Sequence, residues 1–447
     1  MQGPNGPFSC METSMKVDTI YAPSTAIGGA IALIRVSGPL CPDIARDMLD
    51  RDVTRTPRML RFVRMLDGEK VLDDGMACFL PGKGTYTGED MLELSCHGGS
   101  RTVARILERL SRTGARPAEP GEFTKRAFLN GKMDLSEAEA VMDVVSARAE
   151  ESLKAALEQL HGKLSERING IEELLLDSLS AIDAAVDYPD EVEEDVSSAL
   201  PESLTKAQRE IDALIAEGRQ GRVLREGVYV ALVGRPNVGK SSLLNALIGT
   251  DRAIVTDLPG TTRDTLDEET AFFGVPVRLV DTAGIRQSGD LVEQIGVDRA
   301  KAALDRADVV VLLLDGSQAL TQEDEQLLSL TEGKNRLILR SKGDLLQTQD
   351  GFGELTVSAR TGEGLDELKR RIVALSGARE GAAITNERHI KALENARDTL
   401  GHARTAHELT LVATDIREAL HHLGAITGRD VDATVIDRIF ARFCVGK

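Results

Sequence analysis

A chain of 447 residues has room for roughly two to four domains, and 42% hydrophobic with 28% charged residues is the composition of a globular protein. A net charge of −18, 3% aromatics and no Trp argue against a broad basic or aromatic nucleic-acid surface, so any RNA contact should be local, transient or shared with a more basic partner. No apolar run is long enough to span a bilayer, and five scattered cysteines with no C-x-x-C pair argue for reduced thiols in a cytoplasm, against a disulfide frame or a zinc site.

Residues 1–17 lack the basic start and apolar core of a signal peptide and read as a flexible leader or an over-extended start. Residues 18–130 read as a small α+β domain. Ile31–Val36, Gly75–Leu80 and Met91–Ser95 have strand character, and Arg101–Arg112 is apolar at helical spacing. Two polar stretches, Thr85–Gly99 and Ala115–Leu135, carry the glycines and prolines of functional loops. From Leu135 the period becomes helical, giving a first helical segment over 131–222. Ser136 and Glu139 are expected to form its capping box. Pro189 is expected to end a helical run, PDEVEEDVSS to be a solvated acidic connector, and a further helix to run from about Glu202 to Glu217. Residues 223–377 alternate strand and helix, as in a doubly wound, mostly parallel sheet, and 378–447 returns to helix. The fold class expected is therefore multidomain α/β plus α: an α+β N-terminal domain, and a discontinuous helical domain interrupted by an inserted nucleotide domain.

The insert carries the chemistry. Val228–Val233 reads as a buried strand, Gly234–Ser241 spells G-x-x-x-x-G-K-S, and a helix follows, which is the context a phosphate loop requires. Its glycines let backbone amides turn inward, and the helix N-terminus adds positive potential. Lys240 can reach the outer phosphates and Ser241 can give a hydroxyl to Mg²⁺. In the loop Ala253–Asp264 one threonine, Thr262 foremost, can bind Mg²⁺ and the terminal phosphate, making the loop a switch. The next strand ends in D-T-A-G, placing Asp281 at the Mg²⁺ shell and the Gly284 amide at the terminal phosphate. A later strand ends in S-K-G-D, where Asp344 can accept both N1–H and the exocyclic amine of guanine. S-A-R follows, with the Ala359 amide facing the guanine O6. The GTP set is thus Gly234, Asn237, Val238, Gly239, Lys240, Ser241 and Ser242; Thr256, Asp257, Leu258, Pro259, Gly260, Thr261 and Thr262; Asp281, Thr282, Ala283 and Gly284; Ser341, Lys342, Gly343 and Asp344; Ser358, Ala359 and Arg360. This order of elements resembles the translation-factor-like small GTPases. Two positions depart from the usual pattern. Ser341 replaces an Asn that would tie the base loop to the phosphate loop, and its shorter side chain predicts a weaker tie. Ile285 stands where Ras-like enzymes carry the Gln that orients water.

Together with L-I-R-V-S-G-P, T-Y-T-G-E-D-M-L-E-L-S-C-H-G-G, P-G-E-F-T-K-R-A-F-L-N-G-K-M-D-L and the terminal F-C-V-G-K, these motifs resemble the MnmE (TrmE) type of tRNA modification GTPase from about Asp18 to Lys447. The resemblance implies a cytoplasmic homodimer joined through the N-terminal domains, which bind a 5-formyl- or methylene-tetrahydrofolate. It implies an FAD-dependent partner subunit and transient tRNA contact, with an aminomethyl-type group added to C5 of a wobble uridine. Carried over by position, the folate contacts are Arg35, Glu93, Lys132 and Lys447, and Cys444 matches the tail cysteine. Arg35 and Glu93 read equally as a structural ion pair. In the GTPase domain the resemblance implies a K⁺ site at Asn237, Thr256, Leu258 and Thr261, and catalysis by Glu293, which positions water, together with Lys240. A ribosome-assembly switch binding rRNA, and a folate-binding scaffold with a slow GTPase, are the alternatives. The acidic C-terminal segment, unlike a basic RNA-binding tail, favours the tRNA-modifying enzyme.

Overall fold

The computed structural model describes residues 18–147, 149–249, 267–281, 303–345, 353–377, 386–406 and 408–446. Two compact units result: residues up to 142 together with those from 421 onward, and residues 143–420.

The first unit is built on a six-stranded sheet in the order β3-β4-β5-β2-β1-β6. The strands are β1 (Ile20–Pro23), β2 (Ile31–Ser37), β3 (Arg61–Asp67), β4 (Lys70–Leu80), β5 (Met91–His97) and β6 (Arg116–Pro117). All neighbours are antiparallel except β1 and β6. Strand β2 shows why one face is covered. Ala32, Ile34 and Val36 alternate with Leu33 and Arg35, and only the first three are fully buried. They join one core with the apolar stripes of α1 (Cys41–Met48) and α2 (Ser100–Ser111), Val103, Ile106 and Leu110 in the latter. Arg35 consequently lies on the opposite face, directly across from Glu93 of β5.

A second core of this unit joins α3 (Glu122–Leu129), the start of α4 (Leu135–Ser146) and α13 (Ala433–Phe440) through Phe128, Leu135, Ile436, Phe440 and Phe443. The helix α4 is capped two positions earlier than its sequence suggests. Asp134 Oδ1 accepts from Glu137 N at 2.9 Å and Glu137 Oε2 from Asp134 N at 2.7 Å, so the reciprocal box is Asp134/Glu137, not Ser136/Glu139. Aspartate caps as well as serine, and its position just outside the helix decides the matter.

The second unit contains α5 (Glu150–Leu160), α6 (Lys163–Asp187), α7 (Pro189–Glu226), α11 (Glu387–Ala403) and the nucleotide-type sheet. The acidic stretch after Pro189 is helix rather than connector: α7 runs for 38 residues. Proline is at ease at the first helical position, where its missing N–H costs nothing, and acidic residues are favoured in a first helical turn. Leu204, Ala207, Ile211 and Leu214 then give α7 a buried stripe.

The second sheet has the order β12-β11-β10-β7-β9-β8, parallel except for the β8–β9 hairpin. Its strands are β7 (Val228–Val233), β8 (Asp267–Phe272), β9 (Val275–Asp281), β10 (Val309–Asp315), β11 (Arg336–Ser341) and β12 (Leu355–Thr356). Every residue of β10 is buried, as expected for a central strand covered on both faces. The remaining helices of this region are α8 (Lys240–Gly249), α9 (Gln322–Leu330) and α10 (Leu365–Ser376); α12 spans Leu409–Thr427. Among the described residues no helix is long and apolar enough to cross a membrane.

Candidate nucleotide and ligand sites

Parallel pairing brings the C-terminal ends of the strands to one edge. Asp315 pairs with Ser341, Leu232 with Asp281 and Leu312 with Val233, so the loops after β7, β9, β10, β11 and β12 all leave from that edge. Such an edge is where ligands bind in open α/β sheets.

The loop after β7 has the backbone a phosphate cradle needs. Gly239 sits at φ +105° with open space around the position of a Cβ, and Asn237 adopts φ +62°. A Cβ on Gly234 would stand 2.7 Å from Leu313 O, so only glycine fits there. Lys240 is buried, and its Nζ donates to Gly234 O at 2.6 Å and Arg235 O at 2.8 Å. The ammonium thus crosses the mouth of its own loop, where the outer phosphates of a nucleotide would lie.

The base side is joined to this cradle. Ser341 Oγ lies 2.7 Å from Val238 O in the phosphate loop and 3.0 Å from Leu314 O. The shorter side chain therefore still reaches the phosphate loop, because β11 ends close enough to it for a hydroxyl to bridge. The S-K-G-D and S-A-R loops are also joined. Gly343 N donates to Val357 O at 3.0 Å and Ser358 Oγ to Asp344 Oδ1 at 2.8 Å. Arg360 stands 3.6 Å from Asp344 Oδ2 but is 82% exposed, so that pair adds little. Ala359 follows the fully buried Ser358 and lies beside Asp344's partner. Lys342 holds φ +57° and pairs with Asp315 at 2.7 Å. Ser241 and Ser242 open α8, and Asp281 closes β9. Thr256, Asp257, Leu258, Pro259, Gly260, Thr261, Thr262, Thr282, Ala283, Gly284 and Glu293 lie outside the described residues.

On the first unit's second sheet face, partly covered by the core of Ile20, Ala22, Met91, Ala118 and Phe123, Arg35 Nε and Glu93 Oε1 form an ion pair at 2.9 Å, both groups about a quarter exposed. The Arg35 guanidinium also stacks over the Tyr86 ring at 5.7 Å. The Tyr86 hydroxyl is 2.9 Å from Thr124 Oγ1. Lys132 passes beside Gly88 of the same loop, and its Nζ donates to Lys83 O at 2.8 Å. The chain end comes to this region too. Val445 bridges to Pro120, Gly121 N donates to Cys444 O, and Ser24 Oγ donates to Gly446 O at 3.2 Å. Pro23, against which a Cβ on Gly446 would collide at 2.2 Å, neighbours Ala22, the strand partner of Arg35. Cys444 is an exposed free thiol; Lys447 lies outside the described residues. The family resemblance, by grouping Lys447 with Arg35, Glu93 and Lys132, implies that the chain end meets this region, but the residues themselves give no sign of it, nor of the contact between Asp315 and Lys342 beside the nucleotide cradle. Both join segments far apart in the chain.

A family model described as the MnmE helical domain matches residues 135–444, and one described as the GTP-binding protein TrmE N-terminus matches residues 19–132. The tRNA modification GTPase MnmE of Bacillus cytotoxicus is 42% identical over 458 residues, covering 97% of this chain and 100% of that protein. The tRNA modification GTPase MnmE of Carboxydothermus hydrogenoformans is 40% identical over 461 residues, with the same coverage. A solved G domain of the T. maritima FeoB iron transporter is 30% identical, covering 33% of this chain and 98% of that one, with a TM-score of 0.25. With family models matching residues 19–132 and 135–444 and full-length relatives at this identity, the chain belongs to the MnmE family of tRNA modification GTPases.

Proposed function

We propose that this chain hydrolyses GTP to drive the addition of a carboxymethylaminomethyl or aminomethyl-type group to C5 of the wobble uridine of certain tRNAs. It does so as a cytoplasmic homodimer with an FAD-dependent partner subunit and a 5-formyl- or methylene-tetrahydrofolate donor. Residues 18–130 serve folate binding and dimerisation, 131–222 with 378–447 form the helical domain, and 223–377 the GTPase domain. The observation that carries the nucleotide reading is the joining of phosphate and base loops through Ser341 and Val238, with Asp344 held by Ser358.

The residues suit their ligands. Asp344 keeps a carboxylate at the mouth of the base loop, where two charge-assisted bonds select guanine. Lys240 compensates phosphate charge from across the loop, and Ser241 with Thr262 offers hydroxyls for Mg²⁺. Asn237 stands exposed on the phosphate loop in the left-handed conformation, and its amide carbonyl is an oxygen ligand of the kind K⁺ takes, with Thr256, Leu258 and Thr261 completing the proposed set. When bound, Mg²⁺ and K⁺ supply positive charge where the phosphates gain negative charge in the transition state. Glu293 orients the attacking water, in place of the Gln absent at Ile285.

On the folate side, Arg35 and Glu93 offer a donor and an acceptor on one sheet face, Lys132 lies along the adjoining loop, and Lys447 is assigned to the same site by the family resemblance. Two lysines and an arginine suit carboxylates or ring carbonyls, and Glu93 suits the pterin amine. Cys444, exposed in the same tail, is assigned no step.

The test has two readouts. Mass spectrometry of tRNA nucleosides from cells lacking the chain should show wobble uridines without the C5 group; unchanged nucleosides would refute the function. Hydrolysis by the purified chain should be much faster in K⁺ than in Na⁺ at equal ionic strength, and Asn237→Ala should erase the difference. Equal parental rates in the two salts would remove the cation from the mechanism.

A further inference from the structure

The connection between β10 and α9, residues 315–324, touches both ends of the nucleotide cradle. Its near half holds the base loop. Asp315, the buried last residue of β10, accepts from Lys342 Nζ through Oδ2 at 2.7 Å. Its Oδ1 accepts from Ser317 N at 3.0 Å and Ser317 Oγ at 2.6 Å. Gly316 N donates to Ser341 O at 3.0 Å. Lys342 itself sits at φ +57°, a conformation that a non-glycine residue keeps only where contacts hold it. Its ammonium is committed to Asp315, so the side chain acts as a strut beneath the base loop.

The far half holds the phosphate loop. Gln318 Oε1 accepts from Arg235 Nη2 at 3.1 Å, and Arg235 Nε stands 3.5 Å from Asp324 Oδ2. Arg235 is the residue whose carbonyl receives Lys240 Nζ, so fixing its side chain fixes one of the two acceptors that aim the phosphate-binding lysine. Asp324 is 2% exposed. Its Oδ2 receives the Thr321 amide and hydroxyl at 3.0 and 2.8 Å, the capping box of α9. Its Oδ1 is buried with no hydrogen-bond partner. Capping accounts for one oxygen, whereas a buried carboxylate with an orphan oxygen is costly unless an opposite charge lies beside it. Arg235 supplies that charge. The geometry therefore serves the phosphate loop as well as the helix end.

We propose that residues 315–324 are a brace that fixes the spacing between the base loop and the phosphate loop. In it Asp315 positions Lys342, and Asp324 with Gln318 positions Arg235. The proposal rests on the GTP-binding reading above. It explains why the two loops keep their register through one short connection, although 106 residues separate Arg235 from Ser341 in sequence.

The experiment measures binding of fluorescent GDP and GTP analogues to the full chain and its variants Asp315→Asn, Asp324→Asn, Gln318→Leu and Asp315→Asn/Asp324→Asn, with unfolding midpoints alongside. Loss of the charged hydrogen bond to Lys342 in Asp315→Asn, or of the buried ion pair with Arg235 in Asp324→Asn, should raise Kd about tenfold for both nucleotides. Gln318 is exposed, so Gln318→Leu should fold like the parent and still bind about threefold more weakly, an effect that a purely structural role would not produce. The double variant should lose much less than the product of the single losses, because a brace released at one end is already slack at the other. Parental affinity in folded Asp324→Asn and Gln318→Leu would overturn the proposal, as would a fully multiplicative double variant. If the parent itself binds neither nucleotide, the GTP-binding reading fails and the brace fails with it, a result distinct from variants that match a binding parent.

Discussion

Ser341→Ala isolates the bond that joins the two halves of the nucleotide site. Ser341 is buried, and its single hydroxyl proton serves Val238 O at 2.7 Å or Leu314 O at 3.0 Å, one at a time. Deletion therefore removes one hydrogen bond, about 1 kcal/mol net, and leaves the Val238 carbonyl without this donor, a cost of ~1–3 kcal/mol if water cannot replace it. Part of that penalty falls on the folded chain and part on the complex, where both loops must be ordered together. The variant should thus unfold about 1–2 kcal/mol more easily and bind GDP about five- to thirtyfold more weakly. Ser341→Asn, which restores the residue usual at this position, should not improve binding. Its amide adds two heavy atoms to a pocket closed around a hydroxyl, and overpacking costs ~1–3 kcal/mol. Fluorescent-GDP titration and denaturant unfolding of the full chain measure both effects. If Ser341→Ala equals the parent in Kd and midpoint, the hydroxyl is not the tie. The two loops would then be held in register by residues 315–324, through Lys342 at one end and Arg235 at the other.

Asp344→Asn should fold normally, since the amide oxygen can still accept from Ser358, but should lose GTP affinity by at least about a hundredfold and gain xanthosine triphosphate, whose C2 carbonyl can accept from the amide. Competition between the two nucleotides checks this, and unchanged preference for GTP would refute the assignment. Arg126→Met should destabilise the first unit by ~3–5 kcal/mol at neutral pH, because Arg126, 11% exposed, pairs with Asp18, Glu89 and Glu122. Burial pushes the Asp18 and Glu122 carboxyls up, but their bonds to Arg116 and Arg126 outweigh it and hold both below the usual carboxylate range. Their contribution is therefore complete above the ordinary carboxylate pKa of about 4 and is lost as pH falls through the depressed folded values. The difference between parent and Arg126→Met should shrink on acidification below about pH 4; a gap that stays constant in denaturant titrations from pH 7 to pH 3 would contradict the pairing.

What the sequence reveals and conceals follows from the range of the interactions. The strand β2 is legible because Ala32, Ile34 and Val36 alternate with outward residues, a signal contained in seven positions. The same alternation fixes the face on which Arg35 meets Glu93, once β2 and β5 pair. The phosphate loop is legible for the same reason: Gly234, Gly239 and Lys240 do their work within one turn of chain. The cap of α4 is local yet ambiguous, since Asp134/Glu137 and Ser136/Glu139 both have the required spacing, and the start of the helix at Leu135 selects the first pair. The acidic run after Pro189 is ambiguous in another way. Proline and carboxylates suit a loop, but they equally suit a first helical turn, and the buried stripe further along α7 makes one continuous helix the better solution.

Other features have no local signature. Whether a serine hydroxyl at 341 can replace an asparagine depends on how near β11 ends to Val238, a distance set by the stacking of β7, β10 and β11 in parallel register. Likewise Gly446 looks like part of a frayed end until Ser24, 422 residues earlier, is found donating to its carbonyl. The left-handed φ of +94° at Gly446 and the closeness of Pro23 O mean that a side chain there would be excluded on both steric and conformational grounds. A glycine so constrained has a structural task. It lets the chain at Gly446 lie against Pro23 and Ser24, at the end of the strand whose Ala22 pairs with Arg35.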